Sequence, residues 1–120
     1  MPEEFLRGRR VLVVEDDYFL ADDMKAEFER AGAEVLGPVG RVKEALDLLD
    51  ACERLDGAIL DINLGGEKVY DVADALRARA IPFVFATGYD AEIIPERYAW
   101  ATRCEKPIEP VKVGEVLFSR

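Results

Sequence analysis

Ala58-Ile59-Leu60-Asp61 is a short apolar run that delivers one carboxylate at its end. A continuous apolar run of this kind reads as a strand buried on both faces. Three other stretches have the same form. Val11-Leu12-Val13-Val14 runs into the acidic cluster Glu15-Asp16-Asp17, and Phe83-Val84-Phe85-Ala86 runs into Thr87. A weakly apolar stretch, 101–104, leads to Lys106 and Pro107.

Between these runs the apolar period becomes helical. Leu20, Met24, Phe28 and Ala31 form one stripe, with Asp17 suited to cap its start and Gly32 to stop it. Glu34-Val35-Leu36 reads as an edge strand ending at Gly37-Pro38. Val42, Ala45, Leu46 and Leu49 form the second stripe, and Val69, Val72, Ala73 and Leu76 the third. Asp90 could cap a short helix over 91–94, which Pro95 should end or kink. Pro110 opens a last helix carrying Val113, Val116 and Leu117. Strand alternating with helix five times predicts an α/β domain: one five-stranded parallel sheet with helices on both faces.

Composition narrows the function. The 120 residues suit one domain, and half of them are hydrophobic. The net charge of -9 disfavours nucleic acid and anionic membranes, whose phosphates would repel the chain. The start, Pro2-Glu3-Glu4-Phe5, lacks the basic and apolar regions of a signal peptide, and no apolar run reaches membrane-spanning length. A soluble, cytoplasmic protein is expected. Cys52 and Cys104 have neither CxxC nor metal-ligand spacing, so reduced thiols are expected. There is no histidine. His-based triads, His metal ligands and phosphohistidine chemistry within the chain are therefore excluded.

In open parallel sheets, ligands bind beyond the carboxyl ends of the strands. Glu15, Asp16, Asp61, Thr87 and Lys106 all fall at or just past such ends. Groups from separate strand ends can meet only on one edge of the sheet. Clustered carboxylates there would repel one another, and a hard cation such as Mg2+ would relieve that repulsion. An aspartate beside such a cation can accept a phosphoryl group. Taken singly, each residue has an ordinary role. Asp61 could be a turn residue, Asp16 or Asp17 a helix cap, Thr87 a strand residue and Lys106 a solvated lysine. For Asp17 the cap is the preferred reading.

The stretches VLVVEDD at 11–17, AILDINL at 58–64, FATGY at 85–89 and EKP at 105–107 together resemble the receiver domain of bacterial response regulators. The resemblance covers nearly the whole chain, 1–120, with a core over roughly 9–119. The Phe-Ala-Thr-Gly-Tyr stretch further resembles stand-alone receivers of alphaproteobacteria. The resemblance implies a flavodoxin-like (CheY-like) fold and two-component signalling. Asp61 would be phosphorylated by a sensor histidine kinase or a phosphotransfer protein. Glu15, Asp16, Asp61 and the Asn63 backbone carbonyl would hold Mg2+. Thr87 and Lys106 would contact the phosphoryl group, and Gly88 would let backbone N–H groups approach it. The response would appear at the face formed by the fourth helix, fifth strand and fifth helix. The Lys106–Pro107 bond would be cis.

One position departs from the family. Receivers commonly carry an aromatic switch residue where this chain has Arg103. Tyr89 is a candidate substitute, and Tyr98 and Trp100 are further aromatics expected on the same face, with core packing an equal reading for Trp100. No output module follows Arg120, so signalling by protein contact or relay is expected. The domain would phosphorylate and dephosphorylate itself but turn over no metabolite. Two alternatives stay open. Asp61-Ile62-Asn63 resembles the Asp-x-Asp of haloacid-dehalogenase-like phosphatases, although it follows the third strand and ends in Asn. A non-phosphorylated interaction module on the same fold is the other.

Overall fold

The computed structural model describes residues 5–87 and 94–118. Its strands begin where the apolar runs begin: β1 is Arg10–Val14, β2 Glu34–Val39 and β3 Gly57–Asp61. A two-residue pair follows, β4 Asn63–Leu64 and β5 Glu67–Lys68. The remaining strands are β6 Phe83–Thr87 and β7 Arg103–Glu105. The helices are α1 Tyr18–Arg30, α2 Val42–Ala51, α3 Tyr70–Ala78 and α4 Pro110–Phe118.

The main sheet has the order β2-β1-β3-β6-β7, and every pairing is parallel. Side chains alternate between its two faces, which is why the central strands must be apolar at every position. Leu12, Val14, Leu60, Phe83 and Phe85 join α2 and α3 on one face. Val11, Val13, Ile59, Val84 and Ala86 join α1 and α4 on the other. Asp17 caps α1 by accepting the Leu20 N–H at 3.1 Å. That helix ends with Ala33 N–H on the Phe28 carbonyl and Gly32 N–H on the Glu29 carbonyl, both at 3.0 Å. Gly32 has φ +98, the left-handed conformation this ending needs.

The register sets the site. Val14 pairs with Leu60, so Glu15 lies beside Asp61. Asp61 pairs with Ala86, placing Thr87 one step beyond, and Thr87 pairs with Glu105, placing Lys106 one step beyond that. The strand order reverses between β1 and β3, so the two acids stand at the switch point.

Several expectations need correction. β2 does not stop at Gly37-Pro38 but continues to Val39. It is an edge strand, where a proline leaves no ladder bond unmade, and a register shift between Leu12 and Val14 absorbs the extra residue. The fifth strand is 103–105 rather than 101–104, and Ala101 is buried ahead of it. Val116 is exposed, because α4 turns Val113 and Gly114 inward and brings Gly114 against Leu6. Tyr98 and Trp100 do meet, their ring centroids 5.9 Å apart, but Tyr98 is fully buried while Trp100 is 60% exposed and so not a core residue. The expected helix over 91–94 falls mostly on residues outside the described ones, as does its cap Asp90. The described part of that connection is a single 3-10 turn, Glu96–Tyr98, after Pro95.

No described helix is long and apolar enough to cross a membrane. Both cysteines are free, Cys52 buried and Cys104 half-buried. The Lys106–Pro107 bond is cis as expected, and so is Gly37–Pro38.

Candidate functional site

Glu15 is the first residue past β1 and is almost fully buried. Its Oε2 accepts the Asp17 N–H at 3.1 Å. Its Oε1 lies 2.7 Å from Lys106 Nζ, yet receives no well-directed hydrogen bond. Asp61 Oδ2 sits 3.3 Å from the same ammonium. Ligand oxygens from Glu15, Asp16 and Asp61 lie within 4.8 Å of one another. Asp16 is exposed, so the group opens to solvent on its side.

The charges in this cluster are out of balance. Burial, and after it the neighbouring Glu15 carboxylate, push the Asp61 carboxyl up to about 7, against the pull of Lys106. Burial alone would lower the Lys106 pKa, but the adjoining carboxylates of Glu15, then Asp61, hold it above its usual value. Glu15 and Asp61 share one ammonium, Asp16 adds a third carboxylate beside them, and a buried Glu15 oxygen lacks a directed donor. That donor set fits a hard divalent cation with oxygen ligands.

Thr87 ends β6 and is buried, and its carbonyl accepts the Lys106 N–H at 2.9 Å. That bond locks the start of the Lys106–Pro107 turn to the end of β6. Gly88 and Tyr89 lie outside the described residues. Asn63 is exposed and its side chain accepts the Gly66 N–H at 3.3 Å. The hairpin it begins was not expected from the sequence, although Gly65-Gly66 was the available signal. Both glycines have positive φ, as a type I′ turn requires. The Val69 N–H reaches the Ile62 carbonyl at 3.1 Å. Antiparallel pairs alternate, so the intervening Asn63–Lys68 pair exchanges no ladder bonds. The Asn63 carbonyl is therefore not used by the hairpin.

Sequence reasoning also passed over Asp74, Arg97 and Tyr98 as a unit. The Tyr98 hydroxyl donates to Asp74, and the Arg97 guanidinium reaches the same carboxylate at 3.3 and 3.4 Å. The Tyr98 bond and then Arg97 hold the Asp74 carboxyl below its usual range. Tyr98 stacks on Tyr70 and meets Phe83 and Phe85 edge-on.

No family model matches the chain. The solution structure of SdrG from Sphingomonas melonis Fr1 superposes with a TM-score of 0.77 at 35% identity, covering 94% of this chain and 93% of that one. A receiver domain (CheY-like) from Methylobacillus flagellatus superposes at 0.76 over 92% of this chain and 96% of its own, and at 23% identity it speaks for the fold alone. The phyllosphere-induced regulator PhyR of Methylorubrum extorquens is 30% identical over 115 residues, 89% of this chain. The chain spans 41% of the length of that relative.

Proposed function

The chain belongs to the receiver domains of response regulators, and from that membership we propose that it is a phosphoacceptor switch with Asp61 as the acceptor. The observation that carries the reading is the meeting of Asp61 and Glu15 at the Lys106 ammonium, beside the exposed carboxylate of Asp16.

In this reading Glu15, Asp16, Asp61 and the Asn63 carbonyl hold Mg2+. Bound there, the ion supplies charge neutralisation at the phosphoryl oxygens. Asp61 Oδ attacks phosphorus of a phosphohistidine or acyl phosphate, and the P–N or P–O bond to the donor breaks as the acyl phosphate forms. Lys106 keeps its proton throughout and turns its ammonium from Glu15 to the phosphoryl group. Thr87 donates its hydroxyl to a phosphoryl oxygen. The chain has no histidine, so the donor is a second protein, a sensor histidine kinase or a phosphotransfer protein. Tyr18 and Phe19, exposed at the start of α1 beside the pocket, suit contact with such a donor. The response then passes to the face of β7, α4 and the segment ahead of β7, and on to a partner protein in the cytoplasm. The domain turns over no metabolite.

Incubation with MgCl2 and acetyl phosphate tests this. We expect intact mass to rise by one phosphoryl group, and the adduct to be absent from Asp61→Asn and from samples with EDTA. An unmodified chain under every donor, or steady hydrolysis of a generic phosphomonoester, would contradict the reading.

A further inference from the structure

Asp16 is walled by two backbones. A side-chain carbon at Gly40 would stand 3.1 Å from Asp16 Cα, and one at Gly65 would stand 3.6 Å from Asp16 Oδ2. Gly40 precedes α2, and Gly65 is the turn of the β4–β5 hairpin. Asp16, Gly40, Arg41, Leu64, Gly65 and Glu67 line an open cleft of about 320 Å3.

Glu67 ties the two walls together. Its Oε1 accepts the Val42 N–H at 3.4 Å and faces Arg41 Nε at 3.9 Å. Arg41 is the N-cap residue of α2, and its own side chain makes no capping bond. A helix start leaves backbone donors without partners. Here a carboxylate from the hairpin, 25 residues away in sequence, serves one of them. The tie therefore runs from the hairpin to α2, across the side of the cleft where Asp16 stands. Leu64 anchors the hairpin in the core at 3% exposure, but Gly65 and Gly66 have no side chains to hold their position. The ion pair itself is exposed and contributes little as an ion pair. Its value is geometric.

We propose that Glu67 is a positioning residue for the cation pocket. It keeps the Gly65 backbone and the Asn63 carbonyl set against Asp16, and so fixes the preference for magnesium over calcium. The inference rests on the assignment of Glu15, Asp16 and Asp61 to the cation. Magnesium demands near-ideal octahedral geometry, whereas calcium accepts flexible and irregular shells. A loosened wall therefore costs magnesium more than calcium.

Calorimetric titration of the unphosphorylated chain with MgCl2 and, separately, CaCl2 tests this. Glu67→Ala should weaken magnesium binding about tenfold, the usual size of an outer-shell effect. Its calcium affinity should change much less. Glu67→Gln keeps an acceptor for the Val42 N–H and should retain most of the magnesium affinity. Equal losses for both ions in both variants would mean that Glu67 acts by charge alone, which overturns the proposal. Unchanged magnesium affinity in Glu67→Ala overturns it as well. A wild-type chain that binds neither ion would overturn the cation assignment and this inference with it. Phosphorylation is not read in this titration, so a failure of Asp61 to accept phosphoryl is scored separately by mass.

Discussion

Asp61 and Lys106 make opposite demands on the same small volume. A carboxyl raised from 3.8 to about 7 contributes stability that is full below about pH 4 and lost as pH rises to about 7. At neutral pH the metal-free fold therefore carries a charge it would rather shed. Asp61→Asn should stabilise the metal-free protein by about 1–3 kcal/mol near pH 8 and leave it little changed near pH 4, measured by urea melts. Mg2+ competes with the Asp61 proton, so its affinity should fall about tenfold per unit below pH 7, read by calorimetry. Lys106→Ala removes the one cation that opposes the raised pKa. The Asp61 carboxyl of that variant should titrate above about 7 by carbon NMR, and Mg2+ should still bind. A phosphorylated Lys106→Ala chain should show no spectral change beyond its pocket. At this scale the candidate site was legible in the sequence. Glu15 and Lys106 follow their strands, Asp61 and Thr87 end theirs, and the register brings the four to one edge. Asp17 also took the cap preferred for it.

Elements whose periodicity spans several turns were legible too, because burial on one face imposes it. α1, α2 and α3 lie under their apolar stripes. Where the chain was too short or too irregular for a period, reading failed. β4 and β5 have two residues each, below any pattern, and only the glycine pair marked them. Gly37-Pro38 looked like a terminator, since sequence does not reveal that β2 is an edge able to hold a bulge. The segment 94–101 has no period, so nothing told Tyr98 from Trp100. Tyr98 is the fastener of that segment. Tyr98→Phe removes the Asp74 bond but keeps the ring, and should cost about 1–2 kcal/mol in chemical denaturation. Tyr98→Ala opens the aromatic cluster and should cost about 3–5 kcal/mol. If Tyr98→Phe proves neutral, the Asp74 contact adds nothing to stability.

The whole molecule is divided by charge. The acids Glu15, Asp16 and Asp61 crowd the carboxyl end of the sheet, while Arg10–Glu34 and Arg54–Asp56 pairs close the opposite end. Arg79 joins them by donating to the Leu49 and Cys52 carbonyls at 2.6 and 2.9 Å. With a net charge of -9, the fold should gain from ions in two distinguishable ways. NaCl should raise the melting temperature gradually by screening. MgCl2 at matched ionic strength should add about 2.7 kcal/mol at a hundredfold excess over Kd. That extra gain should vanish in Asp16→Asn; a melting temperature indifferent to the choice of cation would end the pocket's claim to selectivity. Trp100 is the sole tryptophan of the chain. Its indole leans on Phe83 and Tyr98, lies 5.8 Å from the Arg77 guanidinium, donates its N–H to the Arg97 carbonyl at 2.6 Å and is 60% exposed. Nature has thus installed a fluorophore on the lip of the tyrosine stack, and stopped-flow emission from unlabelled protein could time any shift there, millisecond by millisecond.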